Sequence, residues 1–491
     1  MNARRGRSGL QGVFERIGVW SRSPRNPAEH HELSSRDLGR LDRVFKRLTD
    51  TTELSGRRRL AAELVTLWAE DVPPARANLL RALAEGALPD DAQRVALGVL
   101  GSSSPEVGAP ARQRLELLAD AQRAVRTRAD AILDELGAAP GGVRFLVELR
   151  AAAIDVAARD DDAAASALDL LVQARLQVLM TPALIELRRL DWDTPASLLQ
   201  RVAALEKVHP IESIDQLRSR LADDRAAFAL FHPGMHGEPL AFVWLAFTKG
   251  IPDSLDRIIG PHAGTVPVDR ADTAVFWSIS SPQPGLAGMG FGNELIKATV
   301  NELRTTHPTV STYVTLSPVP SFAQHVLATI SGDEDHEEFS GAGAAPPEGV
   351  AGAGAIDQPP RTMLGTLGMN RPADEVQRLL SDDIWMVSDE AARYGGRFLK
   401  LAAEYLTDTD TDAGGRSPDP VANFHLGNGA QLARLCWGAN RTHDGVARSL
   451  TLMANYLYEP DRLSERAGHY RTEGQVSVGD DVARLLDEAS D

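Results

Sequence analysis

Apolar residues recur every three or four positions over the first two fifths of the chain, the spacing of helices that bury one face. Leu38, Leu41, Val44, Phe45 and Leu48 form one such stripe. Val143, Leu146 and Val147 form a second, and Leu168, Leu171 and Val172 a third. The background between them is rich in Ala, Leu, Arg and Glu, which are good helix formers, and in Asp. This pattern predicts helices almost without interruption from about Ser35 to Ala204. Breaks fall at Val72-Pro73-Pro74, Pro89-Asp90-Asp91, Pro140-Gly141-Gly142 and Asp193-Thr194-Pro195. The last reads as a helix start, with Asp193 or Thr194 as N-cap and Pro195 in the first turn. The texture changes near His209-Pro210. Short apolar runs then read as strands: Ala226–Phe231, Pro239–Thr248, Thr273–Ser281 and Thr312–Leu316. Helical spacing returns over Ala373–Leu406 and again over Ala430–Tyr458. The second part is therefore expected to be an α/β unit around a central sheet.

Between these blocks, residues 331–361 (SGDEDHEEFSGAGAAPPEGVAGAGAIDQPPR) are poor in large apolar side chains and rich in Gly, Ala, Pro and acid. They are expected to form a flexible surface insertion. Residues 1–34 are arginine-rich at their start and are expected to be a disordered basic leader, although an organelle transit peptide has the same composition. The expected organisation is a leader over 1–34, a helical domain over 35–204 and an α/β domain over 205–475. An acidic tail is expected over 476–491.

Composition narrows the function classes. The chain has 491 residues, 43% hydrophobic and 24% charged, with a formal net charge of −16. An acidic body disfavours non-specific binding to nucleic acid or to an anionic membrane. The single cysteine, Cys436, allows no internal disulfide and no cysteine metal cluster, and it suits a reducing cytoplasm. No apolar run approaches the roughly 20 residues of a membrane span. The expectation is thus a cytoplasmic protein with no nucleic-acid or membrane partner.

The chemistry-bearing pattern is a strand, a glycine loop and a helix in succession. TAVFWSISS (273–281) is followed by PQPGLAGMGFGN and then by ELIKATVNEL (294–303), with Leu295, Ile296, Thr299, Val300 and Leu303 at helical spacing. Glycines that open a helix let backbone N–H groups approach a phosphate, and the helix dipole favours the anion. As a bare pattern, a tight turn with no ligand explains it equally well. A P-loop needs Lys followed by Ser or Thr at its end, whereas this run closes on Gly292-Asn293-Glu294. A dinucleotide fold needs a carboxylate after the next strand, and that strand ends in Ser317-Pro318. Acyl-CoA-binding folds of the acetyltransferase type need neither.

Several segments resemble the malonyl-CoA decarboxylase family. They are His232-Pro233 with GEPLAFVWLAF (237–247), FWSISSPQPGLAGMGFGNELIK (276–297), TLSPVPSF (315–322), PVANFHLGNGAQLARLCW (420–437) and LMANYLY (452–458). In the helical half, GGVRFLVELRA (141–151) and RLDWDTPASLLQRVAALEKVHPI (189–211) match as well. The resemblance covers about residues 40–470. It implies a fold of class α + α/β, an N-terminal all-helical domain followed by a GNAT-like acyltransferase-fold catalytic domain with a central mixed sheet. It also implies conversion of malonyl-CoA to acetyl-CoA and carbon dioxide with no metal and no organic cofactor, CoA being part of the substrate. The family's catalytic serine maps to Ser317, its catalytic histidine to His425 and the tyrosine of its YxY motif to Tyr458. The pyrophosphate loop maps to Ala287, Gly288, Met289, Gly290, Phe291, Gly292 and Asn293. Relatives usually carry Gly where Ser321 stands, Trp where His325 stands and Asp where Asn440 stands. The helical domain is expected to mediate self-association into a dimer or tetramer.

These residue types suit the reaction. Loss of carbon dioxide leaves an enolate on the thioester oxygen, which needs preorganised donors worth about 3–4 kcal/mol each. C2 must then be protonated, which a histidine can do near neutral pH. In the family the serine is the proton acceptor and the histidine the proton donor. Taken singly, Ser317 before Pro318 reads as a turn residue, and His425 near Asn428-Gly429 as structural. Tyr456 and Tyr458 read as packing aromatics at a helix end, and Asp160-Asp161-Asp162 as a solvated charge run. His232 and His236 would pair on a metal only from a helix, which Pro233-Gly234 opposes. Two alternatives share the glycine loop: a GNAT-type CoA-dependent acyltransferase and a non-catalytic CoA-binding regulator.

Overall fold

The computed structural model describes residues 43–48, 51, 53–69, 73–91, 93–94, 126–259, 264–331, 367–369, 371–409 and 415–487. The expected leader over 1–34 and, apart from Ser331, the expected insertion over 331–361 lie outside them. Among the described residues the first part is helical: α1 Leu54–Ala69, α2 Pro73–Ala87, α3 Arg128–Ala138, α4 Gly142–Asp160 and α5 Ala163–Leu179. Their apolar residues fill the interior, for example Leu60, Ala61, Leu64, Val65 and Trp68 on α1 and Leu168, Val172 and Leu176 on α5, while Val143 and Leu171 of the marked stripes are half-buried. Local chemistry sets the boundaries. Thr127 and Asp130 form a capping box at the start of α3, each side chain accepting the other's backbone N–H. Asp162 accepts the N–H groups of Ala164 and Ala165 and so caps α5. The Asp160–Asp162 run is therefore a helix-to-helix connection, with Asp161 left-handed at φ 49°.

Two features depart from the helical reading of 35–204. Glu186–Leu190 is a strand, β1, antiparallel to β2 (Arg225–Phe231). Before α6 (Ala196–Leu205) the N-cap is Pro195, with no side-chain capping bond. Asp191 and Thr194 instead close a turn on each other's backbone, Asp191 Oδ1 accepting from Thr194 N at 3.1 Å and Thr194 Oγ1 from Asp191 N at 3.0 Å.

The remaining strands are β3 Ala241–Thr248, β4 Thr273–Ser280, β5 Thr312–Thr315, β6 Ser317–Pro318, β7 Gln431–Cys436 and β8 Met453–Leu457. Their order is β1-β2-β3-β4-β5-β8-β6, with β7 also paired to β8. β4 and β5 are parallel, joined through α7 (Phe291–Thr306), and the pairs made by β8 are antiparallel, so the sheet is mixed. Every residue of β2 and β3 is buried, which is why both read as unbroken apolar runs rather than as alternating ones.

The chain divides into two compact units. One takes residues up to Leu221 with Ala227–Val243 and Ile279–Ile296, and so contains α1–α6, β1 and the glycine loop. The other takes Ala222–Ala226, Trp244–Ser278 and Lys297 onward. The second contains α8 Phe322–Ser331, α9 Gly395–Thr407, α10 Pro420–Gly427, α11 His443–Ser449, α12 Leu463–Glu473 and α13 Asp480–Asp487. The described part of the stretch expected as a tail, residues 476–487, is built into this unit. Leu432 N–H donates to Ser477 O and Gly479 N–H to Leu432 O, both at 2.9 Å, and Val482 of α13 is fully buried.

Candidate active site

His425 sits in the last turn of α10. Asp419 is the N-cap of that helix, its Oδ1 accepting from Val421 N and Ala422 N at 2.9 Å each, and Pro420 occupies the first position, where no N–H is needed. The second oxygen of Asp419 accepts from Ser321 N at 3.3 Å. One carboxylate thus ties the start of the His425 helix to the loop that follows Ser317. Asp419 is fully buried, and burial raises its pKa despite those donors.

Ser317 lies on β6, opposite Ala454 of β8. Its Oγ is 2.9 Å from His425 Nε2 and 3.0 Å from Thr315 Oγ1. The other ring nitrogen, Nδ1, is 2.8 Å from the Tyr458 hydroxyl. With Ser317 donating to Thr315, its oxygen is free to accept from Nε2–H, and Nδ1 then accepts from Tyr458. The result is a continuous hydroxyl–imidazole–hydroxyl chain. Tyr456, on β8 two residues before Tyr458, lays its ring on the imidazole with centroids 4.4 Å apart and planes at 22°. The Tyr456 hydroxyl is buried and has no hydrogen-bond partner.

All of these groups are withdrawn from solvent. Ser317 is the most open, at 7% exposure, against 3% for His425 and 1% for Tyr458. Burial disfavours a charged ring, and the pKa of His425 is pushed down to about 3. The same desolvation raises the pKa of Tyr456 and Tyr458, so both phenols remain neutral donors near neutral pH.

The glycine loop is formed in the other unit. After a short turn over Pro284–Leu286, Gly288 and Gly290 take φ values of 74° and 80°, which favour glycine. α7 begins at Phe291, so the amides of its first turn have no intrahelical acceptor. A Cβ built on Gly290 would meet no protein atom within 4 Å, so the loop crest faces open space. Asn293 Oδ1, in the first turn, is buried and without a partner. Ala287, mapped to the cradle, has its carbonyl oxygen turned inward to Arg150 Nη1 at 2.8 Å.

Tyr458 directly follows β8, its N–H donating to Tyr313 O at 2.8 Å, and does not end a helix as its spacing suggested. Thr315, Asp419 and Tyr456 were not singled out for the site. The signal for Tyr456 was its i, i+2 spacing to Tyr458, which on a strand puts both rings on one face. His232 is structural: its Nδ1 accepts from Gly234 N at 3.0 Å and its Nε2 faces Leu179 O at 3.2 Å. The three departures from the family pattern lie around the site rather than in it. Ser321 gives its N–H to Asp419, and His325 stacks on Tyr405 at 4.5 Å. Asn440 Oδ1 accepts from Thr442 N at 3.2 Å.

Comparison with known proteins puts this geometry in context. The family model described as malonyl-CoA decarboxylase C-terminal domain matches residues 183–491. A crystal structure of malonyl-CoA decarboxylase from Rhodopseudomonas palustris superposes with a TM-score of 0.72 at 31% identity, over 91% of this chain and 99% of that one. The Agrobacterium vitis malonyl-CoA decarboxylase gives a TM-score of 0.73 at 28% identity, over 91% and 100%. The mouse mitochondrial malonyl-CoA decarboxylase is 28% identical over 425 residues, 84% of this chain and 82% of that protein. A helical region with a mixed sheet, shared with such neighbours, defines a decarboxylating carbon–carbon lyase. The chain belongs to the malonyl-CoA decarboxylase family.

Proposed function

We propose that the Ser317–His425–Tyr458 chain is the centre at which this protein carries out the reaction of its family, the conversion of malonyl-CoA to acetyl-CoA and carbon dioxide. In that reaction the bond between C2 and the carboxyl carbon breaks. Its electron pair becomes an enolate on the thioester, and C2 then takes up one proton. The observation that carries the proposal is the buried imidazole held between two hydroxyls. His425 is neutral when free of substrate. An anionic carboxylate, and then an enolate, brought beside the ring favours its protonated form and raises its pKa. The ring can then deliver a proton to C2. Ser317, the most open of the three, is the group positioned to meet the substrate, and Tyr458 holds the far ring nitrogen so that Nε2 keeps its orientation. We assign the pyrophosphate of CoA to the loop over Ala287–Asn293, on the strength of the open crest at Gly290 and the first-turn amides of α7.

Three coarser features complete the reading. The helices of the first part are proposed to form a distinct N-terminal domain, and the sheet-bearing part a GNAT-like catalytic domain. Self-association is proposed through the exposed apolar face of α5. No described helix is long and apolar enough to cross a membrane, and the lone buried Cys436 favours the cytoplasm. The test of the activity is product analysis. Purified protein with malonyl-CoA, no acceptor and EDTA present should release acetyl-CoA and carbon dioxide in equal amounts. In heavy water one deuterium should enter the new methyl group. Free CoA appearing only when an amine is supplied would identify a transferase, and intact CoA binding with no turnover would identify a regulator.

A further inference from the structure

The turns of the glycine loop, closed by Ala287 N–H to Pro284 O at 3.0 Å and Met289 N–H to Leu286 O at 3.2 Å, are held from outside as well. α4 and α5, from the helical region, reach the loop through one buried arginine. Arg150 on α4 is 4% exposed. Its Nε donates to Asp169 Oδ1 of α5 at 2.7 Å. Its Nη1 donates to two loop carbonyls, Gly285 O at 3.0 Å and Ala287 O at 2.8 Å. One turn earlier on the same helix, the Val147 backbone is packed against Gly285, where an added Cβ would lie 1.8 Å from Val147 O. The loop therefore rests on the backbone of α4 and is clamped there by the guanidinium.

We infer that Arg150, backed by Asp169, is a positioning residue that presents the Gly288 amide and the crest of the loop to the pyrophosphate of a CoA thioester. The geometry of the peptide unit supplies the reason. In a trans peptide the C=O and the following N–H point in opposite directions. Fixing the Ala287 carbonyl on Arg150 turns the Gly288 N–H away from α4. A planar fork with several donors can hold two carbonyls and a carboxylate at once, which an ammonium on a flexible stem cannot do with the same geometry. Charge is not the issue, because Asp169 balances the guanidinium; what Arg150 adds is direction.

This inference rests on the assignment of the loop to the pyrophosphate, and its test separates the two. Arg150→Lys should raise KM for malonyl-CoA about tenfold, with kcat at saturation within about twofold of the parent, the signature of lost binding common to ground and transition state. Malonyl-pantetheine, which lacks the pyrophosphate, should react with the same kcat/KM in variant and parent. Asp169→Asn should change the same parameter in the same direction, and it carries the test if the lysine variant does not fold. An unchanged KM for malonyl-CoA, or an equal loss on both substrates, overturns the inference. Gly290→Val, run in parallel, distinguishes the causes. If it weakens CoA binding and the Arg150 variant does not, the clamp alone is wrong. If neither affects CoA binding, the loop assignment fails with it.

Discussion

His425 is sealed between the Ser317 and Tyr458 hydroxyls and faced by the Tyr456 ring. Two consequences follow at this residue, and one variant reads both. His425→Asn keeps a polar side chain of moderate size but cannot pass a proton at neutral pH, so kcat should fall by about 100-fold or more. Its second readout is stability against pH. The folded-state pKa is pushed down to about 3 from an ordinary value near 6.5, so between these limits the unfolded chain binds more protons than the folded one. The stability of the parent protein is therefore fully present above about pH 6.5 and declines as pH falls toward about 3. Inside that window the decline approaches about 1.4 kcal/mol per pH unit, and His425→Asn removes this part of the slope. Denaturant melts at pH 7.5 and 5.0 would show it: a parent that loses no more stability than the variant contradicts the burial of a neutral ring. Ser317→Ala should also lower kcat. The identities of Ser317, His425 and Tyr458 were legible through motif resemblance alone. Their meeting was not, since Ser317 and His425 stand 108 residues apart and no local pattern joins them.

The stretch over Ala430–Tyr458 shows why part of the site escaped reading at the level of the element. Leu432 and Leu435 are three apart, which suggests a helix, yet they belong to β7. A register shift between Leu432 and Arg434 resets the alternation, so both leucines end up buried. β8 is buried over Met453–Tyr456 and shows no alternation at all. With β8 read as helix, Tyr456 and Tyr458 lost their shared face. The strand, glycine loop and helix around 273–306 were legible because each signal is local: an apolar run, glycines, then helical spacing. What the sequence does not show is the support beneath the loop, since Arg150 and Asp169 lie far from it along the chain. A prediction belongs to this element. At Gly290 the φ of 80° is unfavourable for valine, and its side chain would enter the open space over the loop rather than a packed core. Gly290→Val should therefore weaken CoA binding by calorimetry, and the strained backbone should lower the thermal midpoint without abolishing the cooperative melt. Unchanged CoA affinity would remove the loop from the binding site.

For the molecule as a whole, the question left by the sequence is what the helical part does besides supporting the loop. Along α5 the buried stripe Leu168, Val172 and Leu176 faces inward, and Asp169 turns toward Arg150. A different line on the same helix is left in water: Leu170 at 65% exposure, Ala174, and Val178 at 74%. Their spacing of four residues puts them on one side, and single exposed leucines need no explanation whereas an apolar line on one helix does. The formal charge of −16 opposes association by long-range repulsion, so the proposed self-association needs a local apolar surface of this kind. The expected outcome is that the native protein elutes as a multiple of its 52.9 kDa chain mass in light-scattering chromatography. The double variant Leu170→Glu with Val178→Glu should move it toward a single chain. Because neither side chain bonds the loop or the imidazole, kcat of the separated chains should stay near that of the parent. A parent that is already a single chain would end the proposal, and so would a double variant that keeps the parent's mass.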